Sequence, residues 1–116
     1  MEKIWLKQYQ PGVPTEIDLN EFKSVGEVFE KSAVKFADRP AFACMDKQVT
    51  YAELDKLTAN FASYLQNVLG LKRGDRVAVM MPNLLQYPVC VFGILRAGLV
   101  VVNVNPLYTP RELEHQ

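Results

Sequence analysis

Polar and apolar residues first fall into a regular period at Ser24. From there Val25, Val28, Phe29, Ala33, Phe36 and Ala37 recur at helical spacing, giving the apolar stripe that a helix buries against its neighbours. Ser24 and Glu27 stand three apart, as in a capping box, where the hydroxyl takes one orphan amide and the carboxylate reaches back for another. A helix over about 24–38 is expected, stopped ahead of Pro40, which pushes the preceding residue out of helical geometry. Upstream, residues 1–23 carry Pro11, Gly12 and Pro14 without a sustained period, so they read as an extended arm on the domain surface.

Ala41–Met45 and Gln48–Tyr51 are short apolar runs separated by Asp46 and Lys47, the pattern of a tight hairpin. Thr50 and Glu53 form a second capping box, and Leu54, Leu57, Phe61, Ala62, Leu65 and Val68 follow on one helical face. That predicts a helix over 51–69 with Gly70 as its stop. Next, Arg76–Met81 is apolar without alternation after its first residue, as expected of a strand in a parallel sheet covered on both sides. Pro82 ends it, and Asn83 is placed to cap a helix over 84–97. That helix is apolar nearly all round, with Pro88 in its first turns where a missing amide does least harm. Leu99–Val104 is a second strand of the same kind, so residues 76–104 predict a strand–helix–strand unit with a right-handed crossover. The fold class is α/β.

Thr109, Pro110 and Glu112 open a further helix with a cap, a proline at its first position and a box carboxylate. The sequence stops at Gln116 with no glycine stop, which reads as a helix cut short. The domain expected over 24–116 is therefore an incomplete α/β subdomain. Its two parallel strands leave an apolar edge without a partner, so self-association is expected, checked by sedimentation at high concentration.

Thirteen basic and thirteen acidic side chains cancel and are spread along the chain. No basic stripe exists to hold a phosphate backbone, which excludes nucleic-acid binding as a reading. Cys44 and Cys90 lie far apart in apolar surroundings, as buried free thiols in a reducing compartment rather than a disulfide framework. The first ten residues mix charges and glutamines into their apolar positions and do not form a secretory signal, so the expected location is cytoplasmic. The hydrophobic run Leu84–Val104 contains Gln86, Pro88, Gly93, Arg96 and Gly98, which argues for a buried helix and strand rather than a membrane span.

Phosphoryl chemistry needs clustered backbone amides and a lysine or metal to take up developing charge. Gly93 and Gly98 have the spacing of a phosphate loop's glycines, but Leu99 and Val100 stand where Lys and Ser or Thr are required. Gly93 reads instead as a close-packing position and Gly98 as a helix stop. Glu112, Glu114 and His115 read as a solvated helix surface rather than metal ligands. Neither cysteine has a histidine nearby to activate it, and Ser24, Ser32 and Ser63 lie in or at the start of helices rather than in a nucleophile elbow. No catalytic, cofactor-binding or metal residue is expected in this stretch. Pro82, Asn83 and the segment Asn103–Tyr108 follow the carboxyl ends of the parallel strands, where open α/β sheets bind ligands. They are supporting candidates, against the plainer reading of a cap at Asn83 and a turn at Pro106.

Three segments carry a family resemblance: Val49–Leu54 (VTYAEL), Gly70–Asn83 (GLKRGDRVAVMMPN) and Gly93–Leu113 (GILRAGLVVVNVNPLYTPREL). In this order they resemble the opening motifs of the adenylate-forming superfamily of acyl- and aryl-CoA synthetases, firefly luciferase and peptide-synthetase adenylation domains. The run NLLQYPV and the start IWL followed by VPTEI are similar to the bacterial long-chain-fatty-acid CoA ligases within it. The resemblance implies the first part of that superfamily's large domain. It also implies a parent enzyme that uses ATP, Mg²⁺ and CoA to activate a long-chain fatty acid, as a cytoplasmic protein able to sit peripherally on the inner membrane. The family's phosphate loop, metal glutamate, ribose aspartate and catalytic lysine match no position here, so no cofactor is expected on this stretch alone. The alternatives are a free-standing non-catalytic interaction module, or a piece of a medium-chain or aryl acid ligase.

Overall fold

The computed structural model describes residues 2–116. In chain order it contains a 3₁₀ turn at Ile4–Gln8, α1 at Val25–Lys35, β1 at Pro40–Cys44, β2 at Lys47–Thr50, α2 at Tyr51–Asn67, β3 at Arg76–Met80, α3 at Gln86–Arg96, β4 at Val100–Val104 and α4 at Pro110–His115. The expected helix, hairpin, helix and strand–helix–strand order is present. The first residue of the predicted arm lies outside the described residues. The rest of the arm is exposed apart from Leu6, but it is not simply extended: it opens with the 3₁₀ turn, and Lys3 pairs with Glu16 to fold its start onto its middle.

The helix starts follow capping chemistry. Thr50 accepts the Glu53 amide while the Glu53 carboxylate accepts the Thr50 amide at 2.8 Å, and Thr109 and Glu112 repeat the arrangement. At α1 the box is displaced by one residue. Ser24 accepts the Glu27 amide, but Glu27 takes the amide of Lys23 rather than that of Ser24. Asn83, expected to cap α3, does not; that helix starts from Leu85 without a side-chain cap. Two turns end with glycine in the left-handed region, where a Cβ costs energy: Gly70 after α2 (φ 68°) and Gly98 after α3 (φ 77°). At Gly98 the amides of Gly98 and Leu99 return to the carbonyls of Leu95 and Ile94, the paired bonds of a Schellman stop.

The hairpin closes on Met45 and Asp46, both at positive φ (50° and 60°), with Cys44 opposite Lys47. This is the geometry of a two-residue primed turn, one residue earlier than the sequence pattern implied. β3 and β4 pair in parallel, Arg76 opposite Val100 through Met80 opposite Val104. Two loop bonds help fix that register: the Gly74 amide to the Gly98 carbonyl and the Val100 amide to the Asp75 carbonyl.

One core cluster joins Ala62 and Leu65 of α2, Ile94 of α3 and its C-cap Ala97, and Val79 and Leu99. A second joins Phe29, Ala33, Val49 and Leu54, with Phe29 stacked on Phe92 of α3 at 4.3 Å. From Tyr87 to Ala97 no residue of α3 or its cap is exposed, as its all-round apolar pattern predicted. Two of the residues expected on the inner face of α2 are not there: Leu57 is 45% and Val68 69% exposed, and Thr58, fully buried, faces inward instead. Within this chain the helices cover one face of the sheet. Val77, Val79, Leu99 and Val101 face them, whereas on the opposite side Met80 and Val100 are 41% and 45% exposed and Val104 is buried. Both cysteines are free and part-buried rather than fully buried, and desolvation raises the Cys90 thiol above its ordinary pKa.

Candidate functional site

The carboxyl ends of β3 and β4 bring together most of the supporting candidates. After β3, Pro82 turns the chain by accepting the Leu84 amide at 2.9 Å, and the Asn83 carbonyl accepts from the Cys44 thiol at 3.6 Å. Asn83 therefore serves the hairpin through its backbone. After β4, the Asn105 side chain accepts the Leu107 amide and its carbonyl accepts the Tyr108 amide, at 3.0 and 3.1 Å. This self-bonded turn holds Pro106 at its centre.

Two further bonds, not foreseen from the sequence, tie this end together. The Tyr87 hydroxyl donates to Asn103 Oδ1 at 2.9 Å, and Gln116 Nε2 donates to the Asn103 carbonyl at 3.0 Å. Asn103 is thereby linked to the first turn of α3 and to the end of α4. Beside Tyr87 lies a hollow of about 340 Å³ whose walls are mainly apolar, including Phe42, Cys44, Leu84, Leu85 and Pro88.

The remaining sequence candidates do not form a chemical site. Gly93 lies inside α3, where its amide is part of the helix and an added Cβ would sit 2.8 Å from the Phe61 ring and 3.1 Å from the Thr58 carbonyl. It is a close-packing position, and Gly98 is a helix stop, as the sequence indicated. Glu112 is committed to Thr109, whose side-chain and backbone hydrogen bonds hold its carboxyl below the ordinary value. Among the described residues no three His, Cys, Asp or Glu side chains gather as a metal site, and no helix is long and apolar enough to cross a membrane. The donors needed by a magnesium–nucleotide complex, namely convergent carboxylates and a cradle of free amides, do not fit what these residues offer.

Glu53 and Glu27 are likewise held below the ordinary carboxylate range, in each case first by a backbone amide, that of Thr50 or Lys23. A carboxyl depressed in the folded state stabilises the fold above its unfolded pKa, and that contribution is lost as pH falls through the folded value. The thermal midpoint is therefore expected to fall as pH drops below about 4.5, the ordinary glutamate value. Glu53→Gln keeps an acceptor at the cap but does not titrate, so its midpoint should fall less over that range. Parallel melting curves for the two proteins would contradict the assignment.

Comparison with known proteins agrees with this architecture. The AMP-binding enzyme family matches residues 29–116. A long-chain-fatty-acid–CoA ligase of Yersinia pestis is 60% identical over 116 residues, all of this chain and 21% of that protein. The ligase of the same name from Bacillus subtilis is 39% identical over 115 residues, 99% of this chain and 20% of that one. Among solved structures, the N-terminal subdomain of Klebsiella oxytoca NpsA in complex with 3-hydroxyanthranilyl-AMSN superposes with a TM-score of 0.76 at 28% identity, over 80% of this chain and 24% of that one. Mycobacterium smegmatis MbtA gives 0.70 at 39% identity, over 78% and 17%. The chain spans about a fifth of the length of the curated relatives it matches. With more than half of its residues matched, the chain belongs to the AMP-binding enzyme family.

Proposed function

We propose that this chain is a scaffold segment of a long-chain-fatty-acid CoA ligase and does not carry out the reaction by itself. The observation that carries the reading is 60% identity along its whole length to ligases of that name. In the parent reaction a fatty carboxylate attacks the α-phosphate of ATP and pyrophosphate leaves. The CoA thiol then attacks the acyl carbonyl and AMP departs, so the carboxylate has been turned into an electrophile with a good leaving group. ATP, Mg²⁺ and CoA belong to that parent. The glutamates of the helix starts are occupied by caps and the glycines by packing and turns, which supports placing the nucleotide-handling groups elsewhere in the polypeptide. The exposed Met80 and Val100 support contact of this sheet face with further protein, and self-association of the segment when alone. We place the parent in the cytoplasm, with any membrane association peripheral.

A ligase for aryl acids is the second reading, favoured by the NpsA complex. Its 28% identity is less than half that of the Yersinia pestis long-chain ligase. The test is a chimera in which these 116 residues replace the matching fifth of the Yersinia pestis ligase. The chimera should form acyl-CoA from a long-chain fatty acid, and the segment alone should release no pyrophosphate from ATP. An inactive chimera, or an active segment, would overturn the proposal.

A further inference from the structure

We infer that Tyr87 is a positioning residue for substrate binding at the carboxyl end of the β3–β4 sheet, acting through Asn103 and the 105–108 loop. The inference rests on the ligase reading above. Tyr87 is the second residue of α3, part-buried against the core cluster, so its ring is held by packing while its hydroxyl reaches out to Asn103 Oδ1 at 2.9 Å. That bond fixes the Asn103 carboxamide, whose own backbone carbonyl is held from the other side by Gln116 at 3.0 Å. Two residues on, Asn105 closes its turn on the Leu107 and Tyr108 amides.

The anchors from α3, α4 and the loop thus converge within three residues, at the end of the sheet where α/β folds bind ligands. Asn103 is exposed, and a hydrogen bond between exposed groups contributes little to stability. What the bond does provide is a fixed starting point for a loop whose tip carries Leu107, 86% exposed, with Tyr108 beside it. Such a loop presents a shaped surface, and a substrate that meets it ordered does not have to order it on binding.

Tyr87→Phe removes the hydroxyl and keeps the ring. In the chimera, this change is expected to raise the KM of at least one of fatty acid, ATP or CoA threefold or more, with kcat within twofold and the thermal midpoint nearly unchanged. Asn103→Ala should reproduce the rise, and the double substitution should add nothing further, because one bond has been removed in each case. The inference fails if all three KM values of Tyr87→Phe stay within twofold of the parent chimera. It also fails if kcat falls together with the thermal midpoint at constant KM, which marks a purely structural role. Since the unsubstituted chimera tests the ligase reading, an active chimera with an unaffected Tyr87→Phe variant refutes this inference alone. An inactive chimera refutes both.

Discussion

Gly93→Val is expected to cost about 3 kcal/mol of folding stability, at the upper end of what overpacking a core causes. Helices α2 and α3 meet at this glycine, and the room for a side chain is already taken: an added Cβ would lie 2.8 Å from Phe61 Cδ1, 3.2 Å from Phe61 Cβ and 3.1 Å from the Thr58 carbonyl oxygen. The Phe61 ring can swing, but the carbonyl belongs to helix backbone and moves only if the helices part. Gly93→Ala sets two effects against each other. Alanine is better than glycine inside a helix by about 1 kcal/mol, while its methyl still forces the contact, so a net loss of about 1 kcal/mol is expected. Gly26, in the first turn of α1, is the control: its nearest neighbour is Ser24 Oγ at an ordinary 3.6 Å. Gly26→Ala should therefore be neutral or stabilising. Urea denaturation of the three variants separates the effects, and a Gly93→Ala protein more stable than wild type would show that the helices do not meet closely here.

How much of this was legible in the sequence depends on the range of each interaction. The box at Thr50 and Glu53 and the stops at Gly70 and Gly98 are settled within a few residues, so the pattern alone located them. The parallel unit was legible because two apolar runs flanking an apolar helix have few other ways to pack. Where two local solutions compete, the sequence reading was off by one: Glu27 takes the Lys23 amide, and the hairpin turns on Met45 and Asp46. Longer-range bonds left no trace in the pattern. Tyr87 and Asn103 are 16 residues apart, and Thr58 and Arg96 are 38 apart. A buried threonine in an apolar stripe reads as an error until its partner is known. The uncovered sheet face has a related cause, since apolar residues on both sides of a strand announce burial without saying which protein segment provides it.

The second large effect is expected at Arg96, in the last turn of α3 and tied to both other long helices. Its Nη1 donates to the Asp55 carbonyl at 2.8 Å, to Asp55 Oδ1 at 2.7 Å and to Thr58 Oγ1 at 2.8 Å, while Nε lies 3.9 Å from Glu30 of α1. Its guanidinium carbon is also 6.0 Å from the centre of the Phe29 ring. Arg96→Ala removes these contacts and the packed side-chain stem together, and should cost about 2 kcal/mol. Lysine is a poor substitute even though all three bonds leave the single nitrogen Nη1, because its shorter stem ends before the position Nη1 occupies and its ammonium is more strongly hydrated than a guanidinium. Arg96→Lys should thus recover only about half of the loss. The ion pair itself accounts for little of the effect. The Asp55 side chain is 46% exposed, so a double-mutant cycle between Arg96 and Asp55 should give a coupling of about 0.5–1 kcal/mol, weakening with salt. A further share belongs to Thr58, which is fully buried and whose hydroxyl also donates to the Asp55 carbonyl at 2.9 Å. Thr58→Val keeps the shape and leaves Arg96 one acceptor short, so it should cost about 1 kcal/mol. If Arg96→Lys is as stable as the wild type, the guanidinium geometry has no role in holding the three helices together. A cycle in which Asp55 accounts for the whole loss would instead make this a simple surface pair.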